Sequence, residues 1–460
     1  MRGSLANLIA AMPGAQLTAD AGFDSVSTDS RTASAGALFV ALRGETFDAH
    51  DFLPQVAANG AAAVVAERLP EGWTLPAILV PDTLAALGQI ANQWRRQYAI
   101  PLVGVTGSNG KTTVKEMIAA ILAAAFGTQA RLATQGNLNN EIGVPLTLMR
   151  LEGAHRAAVV ELGMNHPGEI GRLAAIAQPT VALVNNAQRE HQEFMHTVEA
   201  VALENGSVFA ALPQDGVAVY PGDDTYTALW QGLASACRSL TFGLDATCGV
   251  HASYTSTGFG NKLKVTTPGG AFEVTLAAAG EHNVRNALAA IACALAAGID
   301  EGTIVRGLES FAPVGGRLQR KQASCGATVI DDTYNANPDS MRAAIDVLAA
   351  YPAPRILVIG DMGEVGTQGR EFTEEIGAYA QSRGIETVLA TGELSRHLVG
   401  TGGSAHIEHF EQFDALLAAL DKQLGGNSDA TVLVKGSRFM KMERVVNHLI
   451  GSTNTGKDAH

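Results

Sequence analysis

A chain of 460 residues has room for about three domains of ~150 residues, each with its own core. With 47% hydrophobic and 17% charged residues, 50 glycines and few aromatics, the composition is that of an α/β protein and excludes a disordered or fibrous chain. The balance of 32 basic against 45 acidic residues leaves a net charge of −13, which repels nucleic acid and anionic membrane, so a phosphate-bearing ligand has to be met by local cations.

The opening "MRGSLANLIAAMPGAQL" predicts an amphipathic first helix and not a signal, because Asn7 and Pro13 interrupt its apolar run. Residues 1–98 carry short apolar runs, "ALFVAL" at 37–42, "AAAVVA" at 61–66 and "AILV" at 77–80, between turn-rich stretches. They predict a small α/β domain that closes on a helix capped by Asp82.

From 99 to 313, buried-type strands alternate with helices: "IPLVGVT", "AAVVELG" at 157–163 and "TVALVNNA" at 180–187. Such alternation predicts a mainly parallel sheet with ligands at the carboxyl ends of its strands. Shorter alternating runs between 217 and 276 predict an antiparallel extension. The longest apolar block, "ALAAIACALAAGI" at 287–299, is too short to span a bilayer and predicts a core helix, so no membrane insertion is expected. "FAPVGGRLQR" at 311–320 marks a boundary near 313. Beyond it, 314–450 reads as a Rossmann-like domain and 451–460 as a disordered tail. Cys237, Cys248, Cys293 and Cys325 form no CxxC pair, which suggests neither zinc nor a disulfide framework and fits a cytoplasmic location.

The stretch "GVTGSNGKTT" at 104–113 carries the strongest chemical signal. A strand, a glycine turn and a helix put the backbone N–H groups of Gly107, Ser108, Asn109, Gly110, Lys111, Thr112 and Thr113 around one anion. Lys111 can neutralise a transferring phosphate, and the Thr112 hydroxyl can hold Mg2+. Val105 stands where the longer GxxxxGK[ST] pattern has its first glycine. Glu161 ends the next strand and can complete the shell of a nucleotide-bound Mg2+, or be a solvated strand end. His191 follows "TVALVNNA"; the motif alone leaves a catalytic histidine and a loop-packing one equally open. No HExxH pattern supports a zinc hydrolase.

Read together, the motifs resemble those of the Mur ligases, ATP-dependent ligases of bacterial wall synthesis. The matching segments are "STDSR" at 27–31, "FVALRGETFDAHDF" at 39–52, "TGSNGKTT", "GNLNNEIGVPLTL" at 136–148, "VVELGMNHPGEI" at 159–170, "GEHNVRNALAA" at 280–290, "GGRLQR" at 315–320 and "DDTYNANPDSM" at 331–341. "GNLNNEIG" and "DDTYNANPDS" are most similar to the member that adds D-alanyl-D-alanine to UDP-N-acetylmuramoyl-tripeptide. The resemblance implies an α/β protein of three domains: a small N-terminal one for the UDP-sugar, a central P-loop, parallel-sheet ATPase and a C-terminal Rossmann-like one that closes over the site. It implies ATP and Mg2+ as cofactors, acyl-phosphate chemistry with Lys111, Glu161 and His191 as the catalytic set, and a monomer.

By the same resemblance, Lys111 and Thr112 meet the ATP phosphates and Mg2+, Glu161 binds Mg2+ and His191 takes a second metal position. Asn283 meets the adenine, and Arg317 and Asp332 reach the nucleotide. Ser30 and Arg31 with Asn137, Asn139 and Asn140 hold the UDP-muramoyl part, and Asn335 and Asn337 lie near the incoming dipeptide. Asn337 before Pro338 is also a helix N-cap signal, which explains that residue equally well. One departure stands out: where many Mur ligases carry a carbamylated lysine that helps bind a second Mg2+, "ALENGSVF" puts Asn205, and the adjacent Glu204 points about 100° away on a helix. A folylpolyglutamate synthase would share fold and chemistry but lack the first-domain motifs; a nucleotide switch or kinase would leave the outer domains without a role.

Overall fold

The computed structural model describes residues 1–44, 46–399 and 405–451; apart from Gly451, the expected tail at 451–460 lies outside the described residues. Among the described residues the strands form three main sheets and one two-stranded ribbon.

The first sheet pairs Ser25–Ser27, Ala37–Val40, Ala63–Ala66 and Ala77–Leu79 in parallel, and Gln16–Leu17 closes one edge antiparallel. Alternation along a strand sends neighbouring side chains to opposite faces. Phe39 and Val64 pack with Leu53 and Val56 on the outer face, while Leu38, Val65 and Ile78 join a larger cluster. That cluster runs on into Leu102, Val160 and Leu173, so the N-terminal and central units share one core. The helix Thr83–Arg95 is the bridge: Asp82 caps it by accepting the N–H groups of Leu84 and Ala85. Its Asn92 and Arg95 then donate to the carbonyls of Ala175, Ile176 and Ala177. The first helix is short, Leu5–Ile9, and buries Leu5 and Leu8.

The central sheet has nine strands, in the order Gly270–Leu276, Asn261–Thr267, Val250–Ser256, Arg238–Gly243, Val217–Pro221, Val181–Val184, Leu102–Thr106, Ala157–Glu161, Arg131–Ala133. The expected antiparallel extension from 217 is corrected: Val217–Pro221 and Arg238–Gly243 continue the parallel part, and antiparallel pairing begins between Val250–Ser256 and Asn261–Thr267. "VAVYP" is buried at every residue, the mark of an interior parallel strand covered on both faces. The alanine-rich helix Glu281–Ala296 lies in the core beside the loop helix Lys111–Phe126. Gly307 lets the helix Glu301–Glu309 approach the latter, since a Cβ there would meet the Ile121 backbone.

The third sheet runs Gln319–Gln322, Thr328–Asp332, Thr431–Lys435, Arg355–Ile359, Thr387–Thr391, His406–Phe410, parallel except at its first edge. Separate apolar clusters cover its two faces, as a Rossmann-like unit requires. Asp332 and Lys435 stand at the carboxyl ends of adjacent strands and face the central unit's phosphate loop across a cleft. No helix among the described residues is long and apolar enough to cross a membrane.

Candidate active site

A cleft of about 910 Å³ opens between the central and C-terminal units, with Leu84 the N-terminal unit's part of its lining. The phosphate loop forms its floor. Gly110 has φ +82, a left-handed conformation that glycine adopts without strain, and a Cβ there would run into the Asn286 amide oxygen. Lys111 begins the helix and turns its ammonium back onto the loop, donating to the carbonyls of Gly107 (2.5 Å) and Ser108 (3.0 Å) and to Glu190 Oε1 (2.9 Å).

Beside the lysine lies a second cluster. The Thr112 hydroxyl donates to Glu161 Oε1 at 3.3 Å, the Asn139 amide donates to the same oxygen at 2.8 Å, and Arg317 Nη2 donates to Thr112 Oγ1 at 2.9 Å. Glu161 is only 2% exposed, and its Oε2 is buried with no hydrogen-bond partner. A buried carboxylate oxygen without a donor carries a large desolvation cost. Next to a threonine hydroxyl it makes a hard-oxygen donor pair of the kind Mg2+ takes, so these residues fit that ion.

His191 does not join that pair. Its imidazole sits 3.2 Å from Glu190 Oε1 and 2.5 Å from Glu364 Oε2, the latter reaching across from the C-terminal unit. Burial disfavours the charged ring, but the two carboxylates outweigh it and lift the pKa to about 9. His191 therefore bridges the two units through an ion pair and shares Glu190 with Lys111.

Asn205 is 1% exposed and accepts the Gly107 N–H on its Oδ1 at 2.9 Å. It braces the loop from below. Glu204 is engaged elsewhere, accepting the N–H groups of Gly168 and Ile170 at 2.8 Å each, where the helix Glu169–Ala177 begins. Neither residue supplies what a carbamylated lysine would.

The remaining expected residues divide. Asn283 lines the cleft, donating to the Ala279 carbonyl at 2.8 Å and accepting from Asn286 at 3.1 Å. The Arg317 guanidinium lies 4.2 Å over the Tyr334 ring. Asp332 accepts from Lys435 Nζ at 2.6 Å, and that ammonium also donates to the Asn335 carbonyl at 2.8 Å. Asn337 caps the helix Pro338–Ala349 in a reciprocal box with Ser340, and its amide also exchanges hydrogen bonds with Asn109 at 2.9 and 3.3 Å. Thus capping and cleft contact are both real for this residue. Asn137, Asn139 and Asn140 line the cleft; Asn140 Oδ1 accepts from Gly143 N–H at 2.8 Å, a local turn bond. Ser30 and Arg31 lie outside the cleft, with Arg31 exposed and paired to Asp29 at 2.7 Å.

Several cleft residues escape sequence reasoning: Asn185, Asn186, Gln188, Glu190, Asn286 and Lys435. Asn185 and Asn186 follow the strand Val181–Val184 and Lys435 ends the strand Thr431–Lys435, so the strand-end argument applied to Glu161 finds them too. Asn286 lies three residues after Asn283, on the same helical face.

Comparison with known proteins gives a consistent result. Residues 105–294 match the Mur ligase middle domain, 316–438 the Mur ligase, glutamate ligase domain, and 23–95 the Mur ligase family, catalytic domain. The chain is similar to the UDP-N-acetylmuramoyl-tripeptide–D-alanyl-D-alanine ligase of Escherichia coli (strain K12), at 40% identity over 436 residues that cover 94% of each chain. Its structure is similar to that of MurF from Acinetobacter baumannii, with TM-score 0.92 and 34% identity over 98% of this chain and 99% of the other. It is also similar to the MurF ligase from Thermotoga maritima in complex with ADP, with TM-score 0.84 and 26% identity over 93% and 97% of the two chains.

Proposed function

This chain belongs to the Mur ligase family, and from that membership we propose how it works. It is an ATP-dependent ligase that joins the amine of D-alanyl-D-alanine to the terminal carboxyl of UDP-N-acetylmuramoyl-tripeptide, the activity named for relatives that match over nearly the whole length. In our reading 1–98 hold the UDP-muramoyl part, 99–313 bind ATP and 314–450 present the dipeptide. The γ-phosphoryl passes to the tripeptide carboxylate, the dipeptide amine attacks the acyl phosphate, and Pi leaves.

The observation that carries this reading is the meeting of three sets of residues in one cleft. Lys111 lies in a phosphate loop, Glu161 keeps a buried oxygen unpartnered beside Thr112, and Asn335 and Asn337 arrive from the other unit. Lys111 would exchange loop carbonyls and Glu190 for phosphoryl oxygens, a charge-assisted hydrogen bond aimed at the group in transfer. Arg317 pairs with no carboxylate among the described residues and adds a second cation. Thr112 and Glu161 would hold Mg2+, which when bound offsets the phosphates' negative charge. Asn283 and Asp332 would meet the nucleoside, and Asn137, Asn139, Asn140, Ser30 and Arg31 the UDP-muramoyl substrate. Closing the C-terminal unit over the cleft keeps water from the acyl phosphate.

The test is Pi release from ATP with the tripeptide nucleotide, with and without D-alanyl-D-alanine, and product mass. Release that needs both substrates and yields a pentapeptide supports the reading. Nucleotide turnover indifferent to the dipeptide sinks it.

A further inference from the structure

We propose that Arg189 is a positioning residue for this ligation: its guanidinium holds the C-terminal unit down on the phosphate loop and so keeps residues 332–337 at the reacting cleft. The inference rests on the ligase reading above and names a residue that does not line the cleft and whose side chain, among the described residues, hydrogen-bonds only to Asp339 and Glu375.

Arg189 follows the strand Val181–Val184 in the central unit. Its Nε and Nη2 donate to Asp339 Oδ1 at 3.1 and 2.7 Å, and its backbone N–H donates to Asp339 Oδ2 at 2.8 Å. Nη1 and Nη2 also reach Glu375 at 2.6 and 3.1 Å. One planar fork therefore ties two helices of the C-terminal unit, Pro338–Ala349 and Gly369–Ser382, to one turn of the central unit. Asp339 sits in the first turn of the helix that Asn337 caps, so fixing Asp339 fixes Asn337.

The segment bearing Arg189 also braces the phosphate loop. Ser108 N–H donates to the Asn186 carbonyl at 3.2 Å, Asn109 N–H to Asn186 Oδ1 at 2.9 Å, and Gln188 N–H to Ser108 Oγ at 2.9 Å. One side of this segment touches the loop and the other the C-terminal unit. Of three further cross-contacts, Asn109 with Asn337 and Arg317 with Thr112 end on neutral acceptors, while His191 meets the single carboxylate of Glu364 at 2.5 Å. The Arg189 fork is charge-assisted on two carboxylates, and its side chain is 23% exposed, which limits screening by solvent. Only a guanidinium matches both carboxylates at once.

Without the fork, residues 332–337 lose their fixed distance to the loop and water enters the cleft. The acyl phosphate then hydrolyses to tripeptide and Pi, so that ATP is spent without forming the amide bond. In Arg189→Gln we expect kcat to fall about 10- to 100-fold, the size of a small misplacement of reacting groups, with Pi released in excess of pentapeptide. KM for ATP should stay within about twofold, since the loop is intact. Asp339→Asn should act alike, and the double variant should be no worse than the worse single one. Arg189→Lys keeps the charge but not the fork; it should also lose rate while melting with the wild type, and it decides the matter if Arg189→Gln does not fold.

Wild-type kcat and one Pi per pentapeptide in either Arg189 variant would overturn the inference, as would losses that simply multiply in the double variant. Either result, with the unaltered enzyme making pentapeptide, leaves the ligase reading standing. A wild type that makes no pentapeptide overturns both.

Discussion

Single residues carry the clearest consequences. Lys111 is the one ammonium in the phosphate loop, and Lys111→Ala should lower kcat by about 10³-fold or more while the fold persists, a loss read by single-turnover Pi release. Glu161→Gln replaces the unpartnered oxygen's charge, so the Mg2+ concentration for half-maximal rate should rise by about 10-fold or more; an unchanged Mg2+ titration would remove Glu161 from the metal. Asn205→Lys, the change that would restore the family's usual residue, should not add a metal site here. It would leave the Gly107 N–H unpaired and bury a cation, lowering stability by ~1–3 kcal/mol in denaturant titration. At this scale the sequence was a good guide to where Lys111, Thr112 and Glu161 lie, because a glycine turn before a helix and a strand end both face the cleft. The pairing of His191 with Glu364 was not legible, because the two residues lie 173 positions apart in different units.

At the scale of elements, the loops after parallel strands build the cleft, and their stability depends on pH. Asp223 follows the strand Val217–Pro221. Burial there pushes its carboxyl up, but Arg285 at 2.9 Å and the Leu244 N–H outweigh it and hold the pKa below the usual value of 3.8. A depressed carboxyl contributes stability that is present above its unfolded pKa and lost as pH falls through the lower folded one. Asp223→Asn should therefore lower the melting temperature at pH 7, and its gap from the wild type should close below about pH 4. A gap of constant size across that range would deny the ion pair its role. Helix ends were legible: Asp82 and Asn337 cap the helices their sequences announce. Strand direction was not, because "VAVYP" and "KLKVTT" differ in burial on two faces, which only the neighbouring elements decide.

Across the whole molecule, the units are joined in two different ways. The N-terminal unit shares an apolar core with the central one, Leu38 and Ile78 packing into the cluster that holds Leu102 and Leu173. The C-terminal unit has its own two clusters, and the cross-contacts described above are mainly polar. Calorimetry should show one transition for the first two units together and a separate one for the third, and a non-hydrolysable ATP analogue at 100 times its Kd should add ~2.7 kcal/mol to the unit that binds it. A single cooperative transition for the entire chain would contradict this division. The three-part plan was readable because each part has its own alternation of strands and helices; the fused core was not, since it depends on which strand faces pair.

The central claim is that phosphate moves from ATP to the tripeptide carboxylate. The direct measurement uses tripeptide nucleotide whose terminal carboxylate carries ¹⁸O in both oxygens, with ATP and D-alanyl-D-alanine, followed by mass spectrometry of Pi and pentapeptide. Transfer through an acyl phosphate predicts one ¹⁸O in each Pi and one retained in the new amide. Unlabelled Pi, formed alongside the pentapeptide, would contradict it.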